Sequence, residues 1–209
     1  MTLAQKNGND RVYTPPELAE RIVSHFLPCR RALDPCYGQK AFYNTLAERG
    51  SFVRGFELDE GLDFLAWERD EHFKPCRRAL DPCYGQKAFY NALAERCPFV
   101  RGFELDEGMD FLAWERDEHF EWCITNPPWS KLRAFLNKAM ECSDNVVFLC
   151  LVNAFFMKAR QQDMKNAGFG MKEILFVPTP PKPWSQAGFS LGAVHIQHGY
   201  TGPVKHSWI

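Results

Sequence analysis

The feature that most constrains the fold of this chain is an internal repeat of 47 residues. Residues 27–73 and 74–120 have the same sequence at all but five positions. Solenoid proteins need about three or more stacked units, so two near-identical copies indicate a tandem duplication, whether natural or engineered. Without one copy, 162 residues remain. That length is enough for one domain, so we expect a single domain over 1–209 that carries a spare segment.

Composition is that of an ordinary globular protein. Hydrophobic residues make up 45% of the chain and the net charge is −1, which excludes a disordered chain and a purely polybasic nucleic-acid binder. No apolar run approaches the roughly 20 residues of a membrane helix, and we expect no secretory signal. The eight cysteines form no Cys-x-x-Cys motif. We therefore expect free buried thiols and a cytoplasmic protein.

The charge is unevenly distributed along the chain. Residues 1–120 have a net charge of −5, whereas residues 121–209 have a net charge of +4. Two interpretations of the basic half stay open: an ordinary solvated surface, or a surface that contacts phosphate groups.

Strand and helix patterns alternate, which predicts an α/β fold with a mostly parallel sheet and helices on both faces. A helix is predicted to begin at Pro15-Pro16, with Thr14 as its N-cap. Each repeat copy is predicted to form strand, turn, helix and strand. The other predicted elements are a strand at 122–125, helices at Leu132–Cys142 and 157–167, and strands at 145–152, 173–177 and 193–199. The Pro-rich loop between the last two strands has no room for a long helix, which favours a C-terminal antiparallel hairpin.

The sequence Asn126-Pro127-Pro128-Trp129 follows the strand at 122–125. Ligands of open α/β sheets bind at the carboxyl ends of the strands. The prolines fix the backbone and remove N–H donors, so the Asn side chain and the following carbonyls are left as acceptors for an amine. Trp129 offers a flat face for stacking. The alternative is a Pro-rich loop with a core tryptophan.

A second group of candidate residues occurs in both repeat copies. An acid ends the first strand and precedes a Gly turn and a helix, which is typical of a nucleotide-cofactor loop. A glutamate ends the second strand, where it can accept both hydroxyls of a ribose, and an Asp-Phe pair follows. These residues are Asp81, Gly85, Glu104, Asp110 and Phe111 in copy two, with Asp34, Gly38, Glu57, Asp63 and Phe64 as the copy-one alternatives.

No spacing of residues predicts a metal site. His195 and His198 are three residues apart on a predicted strand, so their side chains point to opposite faces and cannot chelate together.

Together, these motifs and the segment Tyr13-Thr14-Pro15-Pro16 resemble, in their order, the motifs of S-adenosylmethionine-dependent amino-methyltransferases. The likeness is to the DNA N6-adenine class, in particular to small methylases of bacterial and phage genomes. It implies a class I, Rossmann-like methyltransferase fold, S-adenosylmethionine as cofactor, DNA as partner, and a bacterial or phage-infected cell.

The resemblance also implies a role for each residue. Direct in-line transfer moves the methyl group to the amine without a covalent enzyme intermediate. The cofactor residues are Thr14 at its methionine end, Asp81 and Gly85 in its loop, Glu104 at the ribose, and Asp110 with Phe111 at the adenine. The catalytic residues are Asn126 and Pro127 as amine acceptors, with Pro128, and Trp129 stacking on the extruded base.

Two departures from the family pattern leave alternatives open. The usual second glycine of the loop is replaced by Lys40 or Lys87, and no separate target-recognition domain is expected. The substrate could instead be an RNA guanine amine or a protein glutamine amide. A decayed methylase that only binds cofactor, nucleic acid or a partner is the non-catalytic alternative.

Only one repeat copy can lie next to the strand at 122–125. Copy two is favoured, because copy one then becomes a long insertion between the first helix and the sheet, and loop closure entropy grows only logarithmically with length. The spare copy is expected to add to a sheet edge, remain loose, or swap into a second chain and form a homodimer.

Overall fold

The computed structural model describes residues 13–27, 31–34, 52–55, 76–115, 118–182, 184, 188 and 190–209. The helices are α1 (Pro16–Phe26), α2 (Ala88–Ala94), α3 (Leu132–Cys142) and α4 (Lys158–Asn166). The strands are β1 (Arg31–Asp34), β2 (Phe52–Gly55), β3 (Arg78–Asp81), β4 (Phe99–Gly102), β5 (Phe120–Thr125), β6 (Ser143–Leu151), β7 (Phe169–Phe176), β8 (Leu191–His198) and β9 (Lys205–Trp208). None of the helices in these ranges has the length and apolar character needed to cross a membrane.

Seven strands form one mixed sheet in the order β4-β3-β5-β6-β8-β7-β9. β3 is parallel to β4 and β5, and β5 is parallel to β6. β8 is antiparallel to β6 and to β7, and β9 is parallel to β7. This topology confirms the predicted fold class and the antiparallel hairpin of β7 and β8. The sequence analysis did not predict β9.

Both faces of the sheet are covered. α1 and α2 pack on one face, where Ile22 and Leu93 are fully buried, and α3 packs on the other face through Leu136. β6 alternates between the two apolar clusters, with Val146 in the α3 cluster and Val147 in the α1 cluster. Burial on both faces explains why this strand is a continuous apolar run.

The start of α1 differs from the prediction. Pro15 is the N-cap residue, and no side chain caps the helix. The prediction of Thr14 as N-cap is therefore wrong. Thr14 lies one residue earlier, and its buried hydroxyl has no hydrogen-bond partner among the described residues.

The two repeat copies contribute to different sheets. Copy two supplies β3 and β4 of the seven-stranded sheet, whereas copy one supplies β1 and β2, which form a two-stranded parallel sheet. The two pairs have the same register, since Arg31 lies opposite Phe52 as Arg78 lies opposite Phe99. The same local sequence therefore forms the same strand pair twice. Within the described strands, copy one is not added to an edge of the main sheet.

One cysteine pair corrects the expectation of free thiols. Cys76, just before β3, forms a disulfide with Cys97, just after α2. The path through β3 and α2 brings the chain back next to its start, so residues 21 positions apart meet. Copy one has Gly50 in place of Cys97 and cannot form the equivalent bond. The free cysteines of the described part are Cys83, Cys123, Cys142 and Cys150.

Candidate functional site

A cavity of about 310 Å³ lies at the carboxyl ends of β3, β4 and β5. Its walls come from the segment before α1, the loop between β3 and α2, the segment after β4, and the turn between β5 and α3. The charged residues of its lining are acidic, Glu104, Asp106 and Asp110, except for Lys131. The excess of carboxylates favours a cationic ligand.

Eight of the ten residues predicted for the site through copy two line this cavity. They are Thr14, Gly85, Glu104, Asp110, Phe111, Asn126, Pro127 and Pro128. Asp81 and Trp129 lie outside its lining. Of the copy-one alternatives, Asp34 ends β1, and Gly38, Glu57, Asp63 and Phe64 lie outside the described residues. The cavity is thus built with copy two.

The loop after β3 is held closely against its neighbours. Gly85 has a left-handed φ of 49°, and a Cβ on it would lie 2.8 Å from two ring carbons of Tyr13. Both the conformation and the close approach require glycine. The Tyr84 N–H donates to the Phe103 carbonyl at 3.0 Å, which fixes the loop to the segment after β4.

Lys87 stands where the resembling family has its second glycine. Its φ is 65°, and it is the one non-glycine residue of the described part with a positive φ. Its N–H donates to the Tyr84 carbonyl at 2.6 Å, and its ammonium lies 5.0 Å from the centre of the Tyr84 ring. The loop thus keeps a glycine-like conformation with a lysine side chain that does not line the cavity.

Glu104 connects the walls contributed by β3 and β4. Its Oε2 accepts the Gly85 N–H at 2.8 Å, and its Oε1 accepts the Asp106 N–H at 3.4 Å. Each carboxylate oxygen keeps a further lone pair. Since the residue lines the cavity, Glu104 can accept hydrogen bonds from two adjacent hydroxyl groups of a ligand.

Asp81 is fully buried at the end of β3. Its Oδ1 accepts the Thr125 hydroxyl at 2.6 Å and the Cys83 N–H at 3.4 Å. Burial raises the pKa of Asp81 to about 7, despite the opposing effect of the Thr125 hydrogen bond. The carboxyl group therefore titrates near neutral pH.

Cys83 joins this acid to the turn after β5. Its Sγ lies 3.1 Å from the Thr125 hydroxyl oxygen and donates to the Asn126 carbonyl at 3.2 Å. Burial raises the pKa of the Cys83 thiol well above its usual value, so the thiol keeps the proton that it donates. The loop after β3 and the Asn-Pro-Pro turn are thereby held together.

Asp110 and Phe111 both line the cavity but differ in burial. Asp110 is exposed, and its Oδ1 accepts the Leu112 N–H at 2.9 Å. Phe111 is buried, with its ring centre 5.5 Å from that of Phe103 and 5.6 Å from that of Phe135. Phe111 therefore supports the cavity wall from the α3 side.

Trp129 is fixed to the sheet. Its indole N–H donates to the Leu149 carbonyl of β6 at 3.3 Å, and its ring meets the Trp184 ring edge-on at 6.0 Å. The side chain is half-buried and packs against both apolar clusters. These contacts fix the indole beside the turn, and its stacking on a base stays a prediction.

Two buried oxygens at this site have no hydrogen-bond partner among the described residues: Thr14 Oγ1 and Asp81 Oδ2. A buried polar atom without a partner costs about 1–3 kcal/mol. A ligand ammonium group would supply donors to such oxygens. The methionine end of S-adenosylmethionine carries this group, so Thr14, which lines the cavity, fits that cofactor, whereas Asp81 lies behind the lining.

Among the cavity-lining residues that the sequence analysis did not assign to the site are Tyr13, Cys83 and Lys131. Tyr13 and Cys83 lie inside the motifs that were singled out, so neighbouring positions in those motifs were the available signal. Lys131 follows the Asn-Pro-Pro-Trp sequence by two positions, and its placement on the cavity depends on the 3₁₀ turn at Trp129–Lys131.

The described residues contain no cluster of three or more His, Cys, Asp or Glu side chains able to hold a metal ion. The His195 ring meets Phe26 of the α1 cluster and the His198 ring meets Phe169 of the α3 cluster, so the two side chains lie on opposite faces of β8. Burial lowers the pKa of His195 to about 3, so this imidazole is neutral and bonds to Asn145 Oδ1 at 3.0 Å.

No family model matches this sequence, and no curated protein matches it. The fold does resemble solved structures. A protein from Listeria monocytogenes, assigned as a class I S-adenosylmethionine-dependent methyltransferase, is 11% identical, with a TM-score of 0.50 over 98% of this chain and 68% of that chain. A protein from Pyrococcus horikoshii, assigned as an RNA methyltransferase, is 18% identical, with a TM-score of 0.48 over 60% of this chain and 76% of that chain.

The M protein of the type I restriction enzyme EcoKI is 16% identical, with a TM-score of 0.43 over 93% of this chain and 45% of that chain. At these identities the likeness concerns the fold alone. With the sheet topology, the Listeria structure establishes a class I, Rossmann-like methyltransferase fold.

Proposed function

We propose that this chain transfers a methyl group from S-adenosylmethionine to an exocyclic amine, namely adenine N6 in DNA. One observation carries the proposal. The Asn126-Pro127-Pro128 turn lines the same cavity as Thr14 and Glu104, so acceptors for an amine stand beside a site suited to the cofactor.

The cofactor, when bound, supplies a methyl group on a sulfonium cation. The carboxylate-rich cavity favours that charge. Thr14 accepts a hydrogen bond from the ammonium end, Glu104 accepts hydrogen bonds from the ribose hydroxyls, and Asp110 accepts one from the adenine amine. Asp81 orders the loop after β3 from behind the cavity wall, through Thr125 and Cys83. Gly85 leaves room for the loop backbone to approach the cofactor closely.

The turn after β5 holds and polarises the target amine. The Asn126 side-chain oxygen and the Pro127 carbonyl accept its two hydrogens, which directs the nitrogen lone pair at the methyl group. Positioning and fixed acceptor dipoles of this kind lower the barrier to in-line transfer. The protonated Cys83 thiol holds the Asn126 carbonyl in place throughout.

A base within a duplex must be extruded before its amine can enter this cavity. Trp129 stacks on the extruded base, and the exposed Lys131 at the cavity contacts a phosphate group. An RNA guanine amine or a protein glutamine amide presents the same sp² nitrogen and is the alternative substrate. The chain acts in the cytoplasm of a bacterial or phage-infected cell, with a swapped homodimer as a proposed assembly.

The test is to incubate the chain with methyl-labelled S-adenosylmethionine and, separately, unmethylated DNA, RNA and a protein mixture. Label on adenine N6, identified by nucleoside mass spectrometry after digestion of the DNA, is the expected result. Label on RNA or on protein would show that this polymer, and not DNA, is the substrate. Cofactor binding without label on any polymer would favour the non-catalytic alternative.

Asn126→Ala is expected to lower turnover about 100-fold or more, the usual cost of losing a hydrogen bond that stabilises charge in the transition state. The dissociation constant of the cofactor should stay within a few-fold of wild type, since Asn126 contacts the amine. Asn153→Ala, at an exposed position after β6, is the matched control. An Asn126→Ala protein with near-normal turnover would contradict the assignment.

A further inference from the structure

Trp184 is a buried side chain that contacts both the segment before α1 and the residue after the Asn-Pro-Pro turn, which belong to two walls of the proposed site. It is 4% exposed and lies in the Pro-rich segment between β7 and β8. Its indole N–H donates to the Tyr13 carbonyl at 3.3 Å, across 171 positions of sequence. Its ring meets the ring of Trp129 edge-on at 6.0 Å.

The first contact fixes the cofactor wall. Tyr13 precedes Thr14, and both residues line the cavity. The Tyr13 ring lies against Gly85, where a Cβ would be only 2.8 Å away. A shift of the Tyr13 backbone would therefore move the Thr14 hydroxyl and the contact with the cofactor loop together.

The second contact fixes the acceptor wall. Trp129 directly follows the Asn-Pro-Pro turn, and its own N–H is held by the Leu149 carbonyl at 3.3 Å. The Trp184 ring contacts the indole edge-on at 6.0 Å. A shift of the Trp129 backbone would be passed to the adjoining Asn-Pro-Pro turn, because the two segments are continuous.

We propose that Trp184 is a positioning residue that sets the separation of the two walls, and hence of the sulfonium methyl group and the target nitrogen. The inference rests on the proposed function. In-line transfer needs the reacting atoms about 3–3.5 Å apart, and a misplacement of 1 Å can lower the rate 100-fold. Trp184 touches neither reactant and acts through Thr14 and Trp129.

Two substitutions separate the two contacts. Trp184→Phe removes the N–H and keeps an aromatic ring against Trp129, so the cofactor dissociation constant should rise about two- to tenfold, the equivalent of one lost hydrogen bond, with little change in kcat. Trp184→Leu removes both contacts, so kcat at saturating cofactor should also fall about tenfold or more. Trp208→Phe, at a position 71% exposed on β9, is the control.

The measurements are calorimetric cofactor binding, kcat and KM, and the melting temperature. A purely structural Trp184 would lower the melting temperature of Trp184→Phe and leave its cofactor affinity equal to that of Trp208→Phe, which would overturn the inference. The change in the cofactor dissociation constant caused by Trp184→Phe should also be smaller in a protein that carries Thr14→Val, because the indole acts through Thr14. If Trp184→Phe and Thr14→Val change the dissociation constant additively in this double-mutant cycle, the inference is overturned as well.

Measurements on the wild-type chain distinguish a failure of this inference from a failure of the proposed function. A wild-type chain that binds no cofactor overturns the proposed function and the inference together. A wild-type chain that binds and transfers, with variants that match the control, overturns the inference alone. If Trp184→Leu does not fold, Trp184→Phe and the double-mutant cycle decide the question.

Discussion

Asp81 shows how burial changes the chemistry of a single residue. Its carboxyl group is fully buried and only Oδ1 has hydrogen-bond donors among the described residues. Desolvation disfavours the charged form and raises the pKa from 3.8 to about 7. The folded protein thus binds a proton that the unfolded chain releases at lower pH.

This difference makes stability depend on pH. The contribution of Asp81 is fully present below about pH 4, where both states are protonated, and is lost as pH rises through about 7. Asp81→Asn keeps an acceptor for Thr125 and cannot ionise. We expect it to flatten the fall in unfolding free energy between pH 4 and 7, and to be a few kcal/mol more stable than wild type at pH 8.

Urea denaturation between pH 4 and 8 measures this effect. Asp106→Asn, which changes an exposed aspartate on the same cavity, controls for the loss of one carboxylate. If Asp81→Asn shows the same fall in stability as wild type, the pH dependence does not arise from Asp81.

At the scale of an element, α2 begins at a strained residue. Lys87 is its N-cap, has φ 65°, and makes no side-chain cap hydrogen bond. Left-handed backbone costs a non-glycine residue about 1–2 kcal/mol. In compensation, its ammonium lies over the Tyr84 ring at 5.0 Å, a contact worth about 0.5–1 kcal/mol at an exposed site.

Lys87→Gly should therefore raise the free energy of unfolding by up to about 1 kcal/mol. Glycine relieves the backbone strain, but the variant loses the ring contact and its unfolded chain gains backbone entropy, so the net gain is smaller than the strain. Chemical denaturation measures the change. Lys87→Ala, which removes the ring contact and keeps the strain, is the matched control and should be less stable than wild type. A glycine variant less stable than wild type would show that the loop does not strain Lys87.

At the scale of the whole molecule, the repeat shows that two segments of nearly the same sequence occupy different places in the fold. Copies one and two form strand pairs of identical register, yet only β3 and β4 join the sheet that carries the cavity. β3 pairs directly with β5, which follows copy two in the chain. Proximity in sequence therefore gives copy two the central place.

Deletion of residues 28–74 should leave a folded chain. The junction Leu27-Pro75-Cys76 repeats the sequence Leu27-Pro28-Cys29 at the start of copy one, and the deletion removes none of the seven strands of the main sheet. Loop closure then costs less entropy, so we expect a melting temperature at least equal to that of the full chain, measured by calorimetry. Unfolding of the shortened chain would mean that copy one supports the fold.

Point variants of the full chain test which repeat copy forms the cofactor site. Asp81→Ala is expected to abolish cofactor binding, and Asp34→Ala to leave it unchanged. The reverse result would assign the site to copy one, and equal partial losses would mean that the copies exchange.

Local sequence determined the elements and the order of the site motifs. The helix at Leu132–Cys142 was predicted with its observed bounds, because its apolar residues follow one helical face. β9 escaped prediction because it is a four-residue strand, Lys-His-Ser-Trp, that is mostly exposed and has no apolar alternation. Backbone pairing with β7 alone makes it a strand.

Tertiary structure decided what local patterns left open. The choice of copy two depends on pairing with β5, the Cys76–Cys97 bond depends on the path through α2, and the place of Trp184 depends on contacts with Tyr13 and Trp129. The sequence by itself determined which residues could carry the chemistry, since motif and spacing are local. Packing across the sheet places copy two at the cavity, as its position next to β5 in the chain predicts. Local sequence could not make this choice, because the two copies differ at only five positions and have nearly the same local preferences.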